Sequence, residues 1–237
     1  MKRIPIQFLV ALFAVGMALA SIAQSPPAAA SAPAQPAAQE GAEAQGEPEE
    51  PKEEWVVLET TLGDIVIRPR PDLAPDNTAN FLRLSRMGFY DRTRFHRVIP
   101  GFMIQGGCPH TKKDDQRWWG RGHQQDKAGG RINVEAEISE AKHVRGMVGM
   151  ARSGHEDPER DQEFLNTASS QFYICVADAP WLDGKFTIFG EVVKGMDVVD
   201  KIVAVPRKEV RGADGVKKLS DMAADPITII KVKIEKH

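Results

Sequence analysis

The chain has 237 residues, enough for one domain of ordinary size plus appendages. It carries 31 basic and 33 acidic side chains, a formal net charge of −2. The basic residues are scattered rather than gathered on one segment, which excludes a nucleic-acid partner held by a basic stripe.

Residues 1–23 read as a secretory signal. Lys2 and Arg3 form a short basic start, an apolar stretch runs from Ile6 to Ala20, and Ala18, Ala20, Ser21 and Ala23 offer small-residue cleavage positions. Left uncleaved, the stretch is long enough to anchor the chain in a bilayer, and only in that case is a membrane a partner. No cysteine follows it, which argues against a lipoprotein attachment. The signal is of bacterial type, so the expected destination is the periplasm.

Residues 24–54 hold seven Glu and one Lys among many Ala and Pro, with no Val, Ile, Leu, Met or aromatic residue. Such a composition buries too little apolar surface to offset the entropy of ordering, so this segment is expected to be a disordered, extended tether. Beyond it, residues 55–237 balance 28 basic against 26 acidic side chains and are expected to form the folded domain.

That domain opens with two β-rich runs, Trp55–Thr60 and Ile65–Arg68, around a turn at Leu62-Gly63-Asp64. A helix is expected over Pro75 to Met87, with proline at its first position, Gly88 at its end, and Thr78, Phe81, Leu82 and Ser85 on one face. Short strands follow at Thr93–Val98, Phe102–Gln105, Met147–Ala151, Gln171–Val176 and Thr187–Val193. A second helix fits Met196 to Val203, and a last strand fits Ile227 to Ile234. Many short strands, few helices and no βαβ alternation predict an all-β fold, a closed antiparallel barrel. Two polar segments, Cys108–Arg131 and Gly154–Ala168, read as long surface loops.

The stretch Phe95–Gly107 is the richest in chemistry. In an extended chain Met103 and Gln105 share a face, and the Pro100-Gly101 turn folds Arg97 back toward them. The result is an apolar floor with a cation and an amide on its rim. Gln171, Tyr173, Trp181, Leu182 and Phe186 add a second amide and more large apolar groups. No nucleophile or acid–base pair accompanies them: His96 and His143 have no Ser or Cys nucleophile motif beside them. The spacing of Cys108, His110 and His123 fits no common zinc arrangement, so neither metal nor cofactor is expected. After export a disulfide is permitted. Cys175, however, lies in an apolar run and reads as a small buried hydrophobe, so both cysteines are expected to stay unpaired.

The strings FHRVIPGFMIQGG at 95–107, GMVGMARS at 146–153 and SSQFYICVADAPWLDGKFTIFGEVVKGMDVV at 169–199, in this order, resemble the cyclophilin family of peptidyl-prolyl cis/trans isomerases. The resemblance covers Trp55 to His237 and implies an eight-stranded antiparallel barrel capped by two helices, acting on X–Pro bonds of polypeptide substrates. It places the catalytic arginine at Arg97. The proline pocket falls at Phe102, Met103, Tyr173 and Leu182, with Phe186 as its wall. Peptide-backbone contacts fall at Gln105, Ala151, Arg152 and Gln171, and Trp181 stands at the rim. Tyr173, Phe186 and Arg152 stand where the family usually has Phe, His and Asn. The first two keep bulk, while the charge of Arg152 is expected to alter preference for residues flanking the proline. Trp181 implies binding of a cyclosporin-like ligand. The chain is expected to be a monomer. A non-catalytic module or chaperone holding proline-containing peptides is the rival reading.

Overall fold

The computed structural model describes residues 53–211 and 217–237. The signal segment 1–23 and residues 24–52 of the tether lie outside the described residues. The first strand begins slightly earlier than the sequence suggests. Strand β1 spans Glu54–Thr60, and the amide of His237 donates to the Glu53 carbonyl at 2.8 Å.

β1 pairs with β2 (Gly63–Pro69) in a tight hairpin. Thr60 secures the turn, its hydroxyl donating to the Gly63 carbonyl at 2.6 Å and accepting from the Leu62 amide. Gly63 sits at φ 126°, and a Cβ there would press to 2.9 Å from Val198. Alternation sends Val56, Leu58, Ile65 and Ile67 fully into the core.

Helix α1 (Pro75–Arg86) has no side-chain cap of its own. Instead Glu137, from a distant loop, accepts the amides of Asp76 and Asn77 at 3.0 and 2.8 Å, satisfying orphan donors at the positive end of the helix. The buried face holds Phe81 and Leu84, with Leu82 only half-buried. Thr78, Phe81 and Ser85 are buried as expected, and Asn77 and Asn80 widen the face, both buried and donating to the carbonyls of Glu135 and Ser169. Phe81 meets Tyr90, Phe172 and Phe189 at ring separations of 5.3, 5.5 and 4.9 Å, inside the range where aromatic pairs attract.

The remaining strands are β3 (Arg97–Ile99), β4 (Met103–Gly106), β5 (Met147–Met150), β6 (Phe172–Cys175) and β7 (Ile188–Lys194). After helix α3 (Met196–Ala204) and a two-stranded hairpin, β8 (Arg207–Arg211) with β9 (Lys217–Ala223), the chain ends in β10 (Ile229–Lys236). The main sheet runs β10-β1-β2-β7-β5-β6-β4-β3 with every neighbouring pair antiparallel. The sheet curls but stays open, where a closed barrel was expected. Its edges β3 and β10 meet only through one bridge, Arg94 to Thr228, and a few backbone bonds such as Phe95 to Ile227 at 3.0 Å. Arg92 donates to the Ile229 carbonyl at 2.7 Å and Ile229 to the Thr93 carbonyl at 2.8 Å, so pairing across the seam is confined to 92–95 against 227–229 and ends before β3 begins.

α1 and α3 are the two expected helices, and α3 buries Val198, Val199 and Ile202. A third, one-turn helix α2 (Pro158–Asp161) and the β8–β9 hairpin were not foreseen. No helix among the described residues is long and apolar enough to cross a membrane.

Cys108 and Cys175 are both free and fully buried. Burial, helped by Asp178 and Asp183, pushes the Cys175 thiol up to about 12, so it stays protonated and unreactive. Two thiols should therefore titrate in denaturant without reductant, and react far more slowly in the native protein. Zero thiols in the denatured monomer would contradict this arrangement.

Candidate active site

The register of β3 on β4 pairs Arg97 with Gln105, Val98 with Ile104 and Ile99 with Met103 across the Pro100-Gly101 turn, where Gly101 adopts φ 72°. Val98 and Ile104 enter the main core, so Arg97, Met103 and Gln105 must take the opposite face. β6 extends the pattern, with Tyr173 beside Gln105 and Cys175 beside Met103. A second, smaller apolar cluster forms there from Met103, Tyr173, Cys175, Ala179 and Leu182, flanked by Phe102, Ala151 and Phe186.

Above this cluster lies a groove of about 760 Å³, a size suited to a short peptide segment. Arg97, Phe102, Met103, Gln105, Ala151, Arg152, Tyr173, Leu182 and Phe186 all line it, as expected. Gln171 and Trp181 stand just outside. Trp181 is 53% exposed on the rim, its ring 5.3 Å from Phe102. Gln171 accepts from Gln105 at 2.9 Å and donates to the carbonyls of Gly120 and Gly122 at 2.8 and 2.7 Å. Its amide therefore ties the groove to the 108–131 loop.

Tyr173 occupies its place through a buried relay. Its hydroxyl lies 2.9 Å from His143 Nε2, and His143 Nδ1 lies 3.0 Å from Asp183. Asp183 is held below the usual carboxylate range by hydrogen bonds from His143, so Nδ1 carries the proton and Nε2 accepts from the tyrosine. Burial lowers the His143 pKa, which keeps this imidazole neutral. The ring passes so close to β5 that a Cβ at Gly149 would lie 2.4 Å from the tyrosine oxygen. The tyrosine hydroxyl therefore turns away from the pocket, and only its ring faces a ligand.

Arg152, whose charge was expected to alter preference for residues flanking the proline, has its guanidinium engaged by a neighbouring acid. Its side chain is 3% exposed, lies flat over the Phe186 ring at 4.3 Å, and makes bonds of 3.0 and 2.7 Å to Asp161. Those bonds hold Asp161 down at about 2. The pair pins the 154–168 loop beside the groove.

Sequence reasoning missed the opposite wall. Gln116, Trp119 and Gly120 of the 108–131 loop line the groove together with Lys208, Val210, Ser220, Asp221 and Met222 of the β8–β9 hairpin. Asp221 accepts from Arg97 Nε at 3.1 Å, and Lys208 bridges to Gln116 at 2.8 Å. In the sequence, two glycines between charged runs are the signal for this hairpin.

Similarity to known proteins gives the family. The family model for cyclophilin type peptidyl-prolyl cis-trans isomerase/CLD matches residues 55–234. The chain belongs to the cyclophilin family. A probable peptidyl-prolyl cis-trans isomerase of Brucella abortus is 40% identical over 187 residues, covering 77% of this chain and 83% of that protein. One from Dictyostelium discoideum is 38% identical over 166 residues, covering 70% and 94%. A crystal structure of a Cryptosporidium parvum cyclophilin, obtained in the presence of the dipeptide ala-pro, superposes with TM-score 0.61 at 30% identity, covering 77% of this chain and 99% of that one. This cyclophilin is an isomerase enzyme, with peptidyl-prolyl bonds as its substrate class.

One buried group in the groove wall, His96, carries a pH dependence. Burial pushes His96 down to about 4, with the Arg97 charge acting the same way. Above pH ~6.5 the ring is neutral folded or unfolded. As pH falls toward 4 the unfolded chain binds a proton that the native state refuses, so stability is lost. Denaturant titrations should show His96 contributing a loss of about 2 kcal/mol between pH ~8 and ~5, which His96→Gln removes. An unchanged pH slope in that variant would reassign the effect.

Proposed function

We propose that this cyclophilin accelerates rotation about X–Pro bonds in exported proteins and assists their folding, with the periplasm as its compartment and a monomer as its working form. The signal-like residues 1–23 support export. The reading of Arg97 as catalytic is carried by one observation: its guanidinium stands on the edge of an apolar pocket while only its Nε is engaged by a described residue.

Amide resonance opposes rotation with a barrier of about 18–20 kcal/mol. In the twisted state the proline nitrogen becomes pyramidal and regains a lone pair, and nothing covalent breaks. The Nη groups of Arg97 donate to that nitrogen and to the prolyl carbonyl. Phe102, Met103, Tyr173, Leu182 and Phe186 hold the ring, and Gln105, Ala151 and the Arg152 backbone grip the flanking peptide. A charge-assisted hydrogen bond supplies on the order of 1.5–3 kcal/mol, whereas a 10⁵-fold acceleration needs about 7 kcal/mol. Ring clamping and desolvation of the amide supply the rest.

Arg97→Ala should fold normally and lose at least about tenfold in isomerisation of a proline peptide, the size of one charge-assisted bond. Full activity in the folded variant would remove the arginine from the mechanism and leave proline binding as its remaining support.

We also propose that the groove binds a cyclosporin-like macrocycle, with its apolar anchor on the Met103–Tyr173 floor and a carbonyl accepting from the exposed Trp181 indole. Arg152 is held down by Asp161, so the guanidinium itself does not stand in the way. Trp181→Ala should weaken binding by about 1–3 kcal/mol through lost area and a lost hydrogen bond, read by titration calorimetry. Equal affinity in the variant would place the ligand elsewhere.

A further inference from the structure

Among the described residues lining the groove, Asp221 is the only acid. It belongs to β9, in the hairpin that packs beside β3 and is tied to the 108–131 loop through Lys208 and Gln116. Its Oδ2 accepts from Arg97 Nε at 3.1 Å, and among the described residues no other hydrogen bond or ion pair is recorded for Arg97.

A guanidinium is flat, with five N–H donors in a fixed fork. Holding Nε therefore restricts the plane: one Nη2 hydrogen stays on the carboxylate side, as in the side-on Arg70–Asp72 pair, while Nη1 and the outer hydrogen of Nη2 form an end-on edge left open to the groove. Without that partner, Arg97, whose side chain is 43% exposed, has a long stem free to sample many rotamers. The carboxylate does not cancel the cation's usefulness, because both partners face solvent, where charges attenuate each other only weakly. The gain is orientation.

We propose that Asp221 is a positioning residue for the isomerisation, holding the Arg97 fork so that both Nη groups face the bound prolyl bond. The hairpin that carries it thereby becomes part of the active site. The inference rests on the reading that Arg97 carries catalysis, and the test separates the two.

The full chain, Asp221→Ala, Asp221→Glu, Arg97→Ala and the double variant Arg97→Ala/Asp221→Ala are compared on an uncharged proline peptide. Asp221→Ala should lower kcat/KM about two- to fivefold, the strength of one exposed ion pair, with the loss in kcat rather than KM. Asp221→Glu should restore part of it. Raising the salt to about 1 M should bring the native protein toward Asp221→Ala, since an exposed pair is screened, while Asp221→Ala itself stays level. In the Arg97→Ala background, removing Asp221 should change nothing further. Native activity in Asp221→Ala, or the same fractional loss without Arg97, would overturn the positioning role while leaving the arginine mechanism standing. A fully active Arg97→Ala would overturn both.

Discussion

Three adjacent strands, β3, β4 and β6, separate two apolar clusters, and the two-residue period of their side chains decides which residue goes where. Val98, Ile104, Phe172 and Ile174 face the main core. Arg97, Met103, Gln105, Tyr173 and Cys175 face the groove. A slip of one residue would exchange the sets, burying a guanidinium among phenylalanines and putting isoleucines on the pocket floor. Four fully buried side chains thus enforce the register that assembles the site. Burying each is worth about 1.5–3 kcal/mol, and a buried unpaired charge adds a further penalty to the slipped state. Foldability and the shape of the pocket are specified by the same pairing.

Around that register, polar groups fix what packing alone would leave loose. Tyr173 is locked by His143 and Asp183 on one side and by the absence of a side chain at Gly149 on the other. Phe186 is covered by Arg152, which Asp161 in turn immobilises. Gln105 is held by Gln171, which anchors to two carbonyls of the 108–131 loop. Each wall residue therefore has a partner behind it, as a site that clamps a ring and leaves the bond free to turn requires. The two long loops supply much of that backing.

Most of the groove's first layer was legible in the sequence because it sits on strands whose alternation is visible and whose wording resembles a known family. The partners behind it were not. Arg152 meets Asp161 across nine residues of irregular loop, a spacing that no helix or strand period marks. The face of α1 was misjudged at Leu82 and Leu84, since apolar periodicity does not register asparagines that are buried by hydrogen bonds to distant carbonyls. The β8–β9 hairpin escaped because its strands are rich in charge and lack an apolar alternation. Barrel closure was overstated for a related reason. Composition shows that strands exist, but where pairing across the seam stops, at 92–95 against 227–229, depends on tertiary context.

The parts that sequence shows least are those best placed to tune the reaction. Proline fills an apolar pocket whatever precedes or follows it, so the floor of Met103, Tyr173 and Leu182 carries little discrimination between clients. In the proposed mechanism discrimination would fall to the walls on either side, where this chain has the Arg152–Asp161 clamp and the hairpin bearing Lys208, Val210, Asp221 and Met222. Such walls are exposed and polar, so substitutions there cost little stability compared with those on the floor. The strand register is constrained by the core, whereas the rim is constrained mainly by what it must hold. A rigid pocket with adjustable margins follows from that difference in energetic cost.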